Sequence, residues 1–542
     1  MLEQTGVRRF TVYKYVKREV KMIKYHELLE NISDQELLEK LISHGLFNDK
    51  MPPFLQSKDF FKYYSDKNIT FNKSMQKPKK YILYENYRNI NIPRQLAIPN
   101  PFSYILQCES LSRNWSKYLN HFKKLSENHN YKISRIHIRK QSKTPALFEM
   151  NYSNFNIDGN PDIDLLIGAK YKISADISNC FPSIYTHSIA WSLITKQEAK
   201  NYRSNKYRNC WFNEIDLFTR NLKEGETHGL LIGPHTSNLL AEVILCTIDD
   251  KLYSEGWKFI RNIDDYTCYT TSIDNSNNFL YSLQSHLRNY GLNLNHKKTK
   301  VNKLPEETED TWIRLISSFS IHQDNKLIDY KLCKSYLNLA INLAEKENNI
   351  AIINYATKML DKSRLTNSAK KYLTKIWFHL SIIYPYLLPI LDKQILSLKQ
   401  FSANELIYFL SEICHSNYKI NNYEGISYAL FFAIKYNVDI LNSEIFNELT
   451  KCNDCILLTL LFLYGESFKY IKGVKELKKI AKIFQQESFD SYWLFIYEIL
   501  SKDELSIAEW KNLKKNGVSF IDYEFNLYSV FNAYDFLHSQ AL

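Results

Sequence analysis

The chain has 542 residues, a formal charge of +12 from 70 Lys+Arg against 58 Asp+Glu, and an aromatic fraction of 14% with 39 Tyr and 31 Phe. That length predicts two or three domains with a substantial core, and nine cysteines without framework spacing exclude a disulfide scaffold. No apolar run reaches the roughly 18–20 residues of a membrane span. Met1 to Lys40 is charged throughout, unlike a signal peptide, so a cytoplasmic protein with reduced thiols is expected. The positive balance suits a polyanionic partner, although richness in Lys, Asn, Tyr and Ile is equally that of an AT-rich genome.

Residues 1–75 read as a helical extension, with Asp34-Gln35-Glu36-Leu37-Leu38 as a helix start. Met51-Pro52-Pro53 breaks the chain before an aromatic stretch containing Phe60, Phe61, Tyr63 and Tyr64. The segment Ile92-Pro93-Arg94-Gln95-Leu96-Ala97-Ile98-Pro99-Asn100-Pro101 leads into an amphipathic helix through Trp115. Arg135-Ile136-His137-Ile138-Arg139-Lys140 alternates as a strand does. It would place Arg135, His137 and Arg139 on one face, suited to a triphosphate or a template backbone, or equally a solvated face.

Lys172 to Pro182 predicts an apolar strand ending in Asp176, and Asn262-Ile263-Asp264-Asp265 predicts a strand–turn–strand presenting an acidic pair. Alone, the first is ordinarily a cap and the second a solvated turn. Together they make a pocket of three carboxylates, the oxygen-rich donor set that Mg²⁺ takes. Two such ions stabilise the attacking and leaving oxygens of a phosphoryl transfer, which points to a nucleic-acid polymerase. Between them, Gly229-Leu230-Leu231-Ile232-Gly233-Pro234-His235-Thr236-Ser237 is a loop whose glycines permit close backbone approach. It opens an apolar helix running to about Asp250, with Ser237 as the expected N-cap. Leu292-Asn293-Leu294-Asn295-His296-Lys297-Lys298-Thr299 sets a lysine pair beside the pocket, where a cation could neutralise or protonate leaving pyrophosphate.

In this order the four segments resemble motifs A, B, C and D of the reverse transcriptases, over residues 75 to 320. The family patterns are an Asp followed five residues later by an aromatic, G-x-P-x-G-x-x-x-S, aromatic-x-Asp-Asp, and L-N-x-x-K-T. The resemblance implies an α+β right-hand polymerase with fingers and palm. Asp176, Ile177, Asp264 and Asp265 would form the metal site, for two Mg²⁺ ions with Mn²⁺ as a substitute. Lys298 would be the motif D lysine, and Phe181 the steric gate that excludes a 2′-hydroxyl. Gly233, Arg135 and Arg139 would join Phe181 in binding nucleotide. Two positions depart from the pattern: Asn262 replaces the motif C aromatic that supports a primer terminus, and Leu231 replaces the motif B proline.

Past residue 322 glycine and proline become rare. Amphipathic segments follow at 331–346, 349–361, 367–383, 403–414, 424–436, 443–450, 454–464, 473–486 and 489–500, predicting a HEAT-like all-α repeat array without a strict period. Cys452 and Cys455, spaced as on one helix, read as packing residues because no further zinc ligands accompany them. His137 and His235 likewise read as structural or substrate-adjacent. Glu424-Gly425-Ile426-Ser427-Tyr428, Tyr492-Trp493-Leu494-Phe495 and Gly517-Val518-Ser519-Phe520-Ile521-Asp522 resemble the helical extension of the abortive-infection and defence-associated "unknown group" enzymes.

The expected domains are therefore 1–75, 76–322 and 323–542. The resemblance implies antiphage defence, dNTP substrates, a DNA product, a homo-oligomer, and priming from a tyrosine without a conventional template. A non-coding RNA or a second reverse transcriptase would be the partner. Retron- or intron-type template copying, a catalytically silent RNA-binding scaffold, and a subunit dependent on a second polymerase remain the alternatives.

Overall fold

The computed structural model describes residues 24–47, 50–67, 75–88, 92–135, 137–138, 147–149, 161–307, 310–321 and 327–523. Its architecture is α+β followed by an all-α array, as expected. The helix Asp34–His44 starts as read, with Ser33 accepting from the Glu36 amide. Strands β1 (Tyr81–Tyr87) and β2 (Pro93–Pro99) form an antiparallel hairpin with Tyr84 opposite Leu96 and Ile82 opposite Ile98. Asn100 then caps the helix Pro101–Arg113, accepting from the Phe102 amide with proline in the first turn. The amphipathic stretch is two helices rather than one: Trp115 opens a second, Trp115–Ser126.

The short strands β3 (His137–Ile138) and β4 (Phe148–Glu149) pair with each other. The central sheet is built from β5 (Tyr171–Asp176), β6 (Phe259–Asn262), β7 (Asp265–Thr270) and β8 (Lys300–Lys303), in the order β6-β7-β5-β8 with every neighbour antiparallel. The helix Ile273–Asn289 packs on β5 and β7, burying Phe279, Leu283 and Leu287. The long helix His235–Ser254 is apolar nearly all round and correspondingly buried. Its N-cap is Pro234, not Ser237: the chain enters the helix two residues earlier than the serine, which lies buried in the first turn.

Beyond residue 327, helices Tyr330–Lys346, Ala351–Met359, Asn367–Ile383, Leu388–Gln394, Ala403–Tyr418, Tyr423–Tyr436, Ser443–Leu449, Cys455–Ser467, Ile471–Glu487, Trp493–Ile499 and Ala508–Lys515 follow one another. The polar breaks are caps: Asp329, Thr366, Ser402, Asn422, Asn442 and Asp454 each accept an amide of the helix they precede. Because Asp454 is the cap, Cys452 stands before the helix that Cys455 begins, correcting their placement on one helix. Both thiols are free.

The array does not stand apart. Glu424 accepts hydrogen bonds of 2.6 Å from Asn86 Nδ2 and from the Tyr87 amide. The Asp522 amide donates to the Phe54 carbonyl at 2.7 Å, the Gln56 amide donates to Phe520 at 2.9 Å, and Phe102 meets Trp510 edge-on at 5.3 Å. One continuous apolar core therefore runs from Tyr25 to Ile521.

Burial outweighs the hydrogen bonds that Glu424 accepts and pushes its carboxyl from an ordinary 4.5 up to about 7. The neutral form suits the fold, so this group favours folding most below about pH 4.5. The advantage is lost as pH rises through about 7, a swing on the order of 3 kcal/mol. Melting temperature should therefore fall between about pH 5 and about pH 7.5, and Glu424→Gln should flatten that limb. An unchanged slope in the variant would remove Glu424 from the account.

Candidate active site

The register of the sheet brings the acidic residues together. β5 ends at Asp176, which lies directly opposite Asp265 on β7, and Asp265 in turn lies opposite Asn262 on β6. The connecting turn puts Ile263 at φ +57°, an uncommon conformation for a β-branched residue. Main-chain bonding ties the turn to β5: the Ile177 amide donates to the Asp264 carbonyl at 3.0 Å.

A buried ionic cluster supports this turn from below. Arg261, fully buried on β6, donates from Nη1 to the Ile263 carbonyl at 2.8 Å and to Glu242 at 2.8 Å. Its Nη2 meets Asp249 at 2.7 Å. Burial opposes the guanidinium charge, but Asp249 and then Glu242 more than offset it, holding Arg261 well above its ordinary proton affinity. Tyr25 and Ser134 each donate to Glu242 at 3.1 Å, so few lone pairs are left unused.

Motif D closes the other side. The Asn295 amide donates to the Asp176 carbonyl at 2.7 Å, and Asn295 Nδ2 donates to Asp176 Oδ1 at 2.9 Å. Lys298 Nζ sits 2.8 Å from Asp176 Oδ2, and this hydrogen bond raises its proton affinity. Burial, together with Asp176, raises Asp264 above the usual carboxylate range. Burial, then Asp264 and Asp176, pushes Asp265 up to about 6. Because Asp264 is only half-buried and Asp265 exposed, these shifts chiefly mark carboxylates that crowd one another.

The motif B loop fixes the gap above the sheet. The Leu230 amide donates to the Phe181 carbonyl at 2.8 Å, and the Gly229 amide to Ile184 at 2.8 Å. At Gly233 (φ +138°) an added Cβ would lie 2.7 Å from the Ala97 carbonyl, so only glycine lets β2 dock here. Burial and then Arg88 lower the proton affinity of Arg94 on β2, with Asp264 opposing them. The Arg94 Nε is buried without a hydrogen-bond partner.

Thus Asp176, Ile177, Asp264, Asp265 and Lys298 are brought together, with Phe181 in the short helix Cys180–Ser183 and Gly233 on the loop hydrogen-bonded to it. Arg135 is buried, its amide donating to the Arg261 carbonyl at 2.8 Å, and so does not form the open basic face expected of its strand. Arg139 lies outside the described residues. Arg94, Arg261 and Asn295 were missed as site residues. The signals available for Arg261 were an arginine within the apolar strand Phe259-Ile260-Arg261 and two acids, Glu242 and Asp249, two turns apart on an apolar helix.

The donor set is of the type a hard divalent cation takes: carboxylate oxygens from adjacent strands and the turn beside them, with Asp264 and Asp265 both raised by crowding. Among the described residues no group of three His, Cys, Asp or Glu side chains is arranged to hold a metal ion. Both Asp176 oxygens are instead engaged by Asn295 and Lys298.

Residues 108–322 match the family described as reverse transcriptase (RNA-dependent DNA polymerase), whose members use divalent metal ions. No curated protein matches the chain. Similar solved structures include apo telomerase from Candida tropicalis truncated from its C-terminal domain, at 15% identity and TM-score 0.29, covering 43% of this chain and 51% of that one. The chain therefore spans about half the length of that relative. Apo telomerase from the same organism matches at 13% identity and TM-score 0.31, covering 78% of this chain and 72% of that one. Telomerase from Candida albicans in complex with the TWJ fragment of telomeric RNA matches at 12% identity and TM-score 0.28, covering 77% and 67%. The segment 108–322, whose first and third motifs meet on the central sheet while the other two flank it, is thus similar to the reverse transcriptase family.

Proposed function

We propose that the chain is a Mg²⁺-dependent DNA polymerase of reverse-transcriptase type acting in bacterial antiphage defence, with synthesis primed by the protein itself. The observation that carries the catalytic part is the register pairing of Asp176 with Asp265 beside the Asp264 turn. Asp176, Ile177, Asp264 and Asp265 would hold the metal ions, which activate the attacking oxygen and neutralise the departing pyrophosphate. Lys298, 2.8 Å from Asp176, would give its proton to the leaving group. Arg94 on β2, whose charge Asp264 favours against burial and Arg88, would be the cation that meets the triphosphate.

Phe181 lies in the short helix Cys180–Ser183 just after Asp176, its ring mostly buried. As a gate beneath the sugar it would refuse ribonucleotides. In competition assays Phe181→Ala should admit rNTPs, and equal discrimination by wild type and variant would overturn the assignment.

The defence and self-priming readings rest on the resemblance of the helical extension and on Asn262 in place of the primer-supporting aromatic. The array from residue 323 onward would be the binding and assembly platform. Tyr64 is poorly suited as primer, because burial and its hydrogen bond to Glu109 raise the phenol well above its ordinary value. Tyr281 and Tyr408 are far more open, at 76% and 68% exposure. Incubation with radiolabelled dNTPs should leave label on the protein through a denaturing gel and release it with protease. Label that runs free, with no nucleotide-modified tyrosine peptide by mass spectrometry, would exclude self-priming.

A further inference from the structure

On the helical side of the palm, a cleft of about 660 Å³ opens between the helices Trp115–Ser126, His187–Ile194, Trp211–Asn221 and the far end of His235–Ser254. Three of its lysines lie over aromatic rings. Lys196 Nζ is 4.2 Å from the centre of Trp191, Lys117 is 5.1 Å from Trp211, and Lys251 is 5.3 Å from Tyr290. Lys124 also lines it. Among the described residues none of these four lysines forms an ion pair with a carboxylate. Of the cleft's two acids, Asp250 lies 3.4 Å from His129, and Glu198 accepts from Thr195 Oγ1, within the cleft, at 3.2 Å. Trp191 is also shared with a neighbouring cleft lined by Arg203 and Arg208.

We propose that this cleft binds single-stranded nucleic acid, stacking bases on Trp191 and Trp211 while the lysines take the phosphates. Half-buried indoles flanked by cations that no carboxylate neutralises are what a sequence-independent strand site requires, since every base offers a π-face and every linkage a charge, and the lysines would swing off the rings onto the phosphates. An acidic protein segment would satisfy the lysines but has no planar groups for the two indoles. This cleft includes none of Asp176, Asp264 and Asp265 in its lining. It therefore does not depend on the polymerase reading, and would hold a strand that has left, or not yet reached, the catalytic cleft.

The test uses the full chain with fluorescein-labelled oligo(dT) and oligo(U), read by anisotropy across a salt series. Lys117→Gln/Lys196→Gln/Lys251→Gln should weaken binding at least tenfold at low salt and reduce the slope of log affinity against log salt by about 2. Trp191→Ala/Trp211→Ala should weaken it by roughly tenfold per lost stack, and the lysine variant keeps the test decisive if the indole variant does not fold. Oligomers carrying 5-bromouracil should photocrosslink to peptides containing Trp191 or Trp211. The preferred oligomer tells whether the strand is DNA or RNA. Unchanged affinity and slope in the lysine variant, crosslinks confined to catalytic-cleft peptides, or displacement by oligo-aspartate as effective as by oligo(dT) would each overturn the proposal.

Discussion

Replacing Asp264 with Asn should abolish nearly all nucleotide incorporation while leaving the protein as stable as before, or more so. The substitution keeps the shape of the side chain and removes one charge from the metal-binding set. Loss of transition-state charge stabilisation worth several kcal/mol corresponds to a fall of about 10²–10⁴-fold. Stability should move the other way. Burial and the neighbouring Asp176 already raise Asp264, so the folded protein bears the cost of that charge whenever no cation is bound. A neutral amide relieves it, giving an equal or higher melting temperature without added metal. Opposite movement of activity and stability is the signature of a site selected for chemistry. A variant that lost both together would instead place Asp264 among the structural residues.

The second large effect is expected at Arg261, with the balance reversed. Arg261→Met leaves Glu242 and Asp249 buried without their cation, and removes the donor that holds the Ile263 carbonyl at 2.8 Å. Breaking a buried ion pair from one side costs about 3–5 kcal/mol, a large part of a typical folding free energy. Chemical denaturation should show that loss directly. Replacing Arg261, Glu242 and Asp249 together with apolar residues of similar volume should recover much of the stability. Activity should stay low in that triple variant, because nothing then fixes the turn carrying Asp264 and Asp265. Recovery of both would reduce Arg261 to a packing residue.

The meeting of Asp176, Asp264 and Asp265 was legible because their signal is local. Each sits in a short motif whose order along the chain survives folding, and antiparallel pairing of β5 with β7 then brings them opposite one another. The helical array was legible through its amphipathic period and its Ser, Thr, Asn and Asp caps, which lie at the segment boundaries where propensity changes. Ser237 was misread because a hydroxyl near a helix start resembles a cap, whereas Gly233-Pro234 lets the helix begin earlier. What supports the site was not legible. Arg261 reads as an exposed strand residue until Glu242 and Asp249 are seen beneath it. Arg94 acquires meaning only when Gly233 admits β2. The pairing of Glu424 with Asn86 and Tyr87 joins residues from opposite halves of the chain and leaves no trace in either local sequence.

The central claim is that Asp176, Asp264 and Asp265 carry metal-dependent nucleotidyl transfer. It is tested most directly by incubating wild type and Asp176→Asn/Asp264→Asn with α-labelled dNTPs and Mg²⁺ or Mn²⁺, circular dichroism confirming that both are folded. The account predicts acid-insoluble label with wild type, abolished by EDTA, and none above background with the double variant. Label incorporated equally by the folded double variant would contradict it.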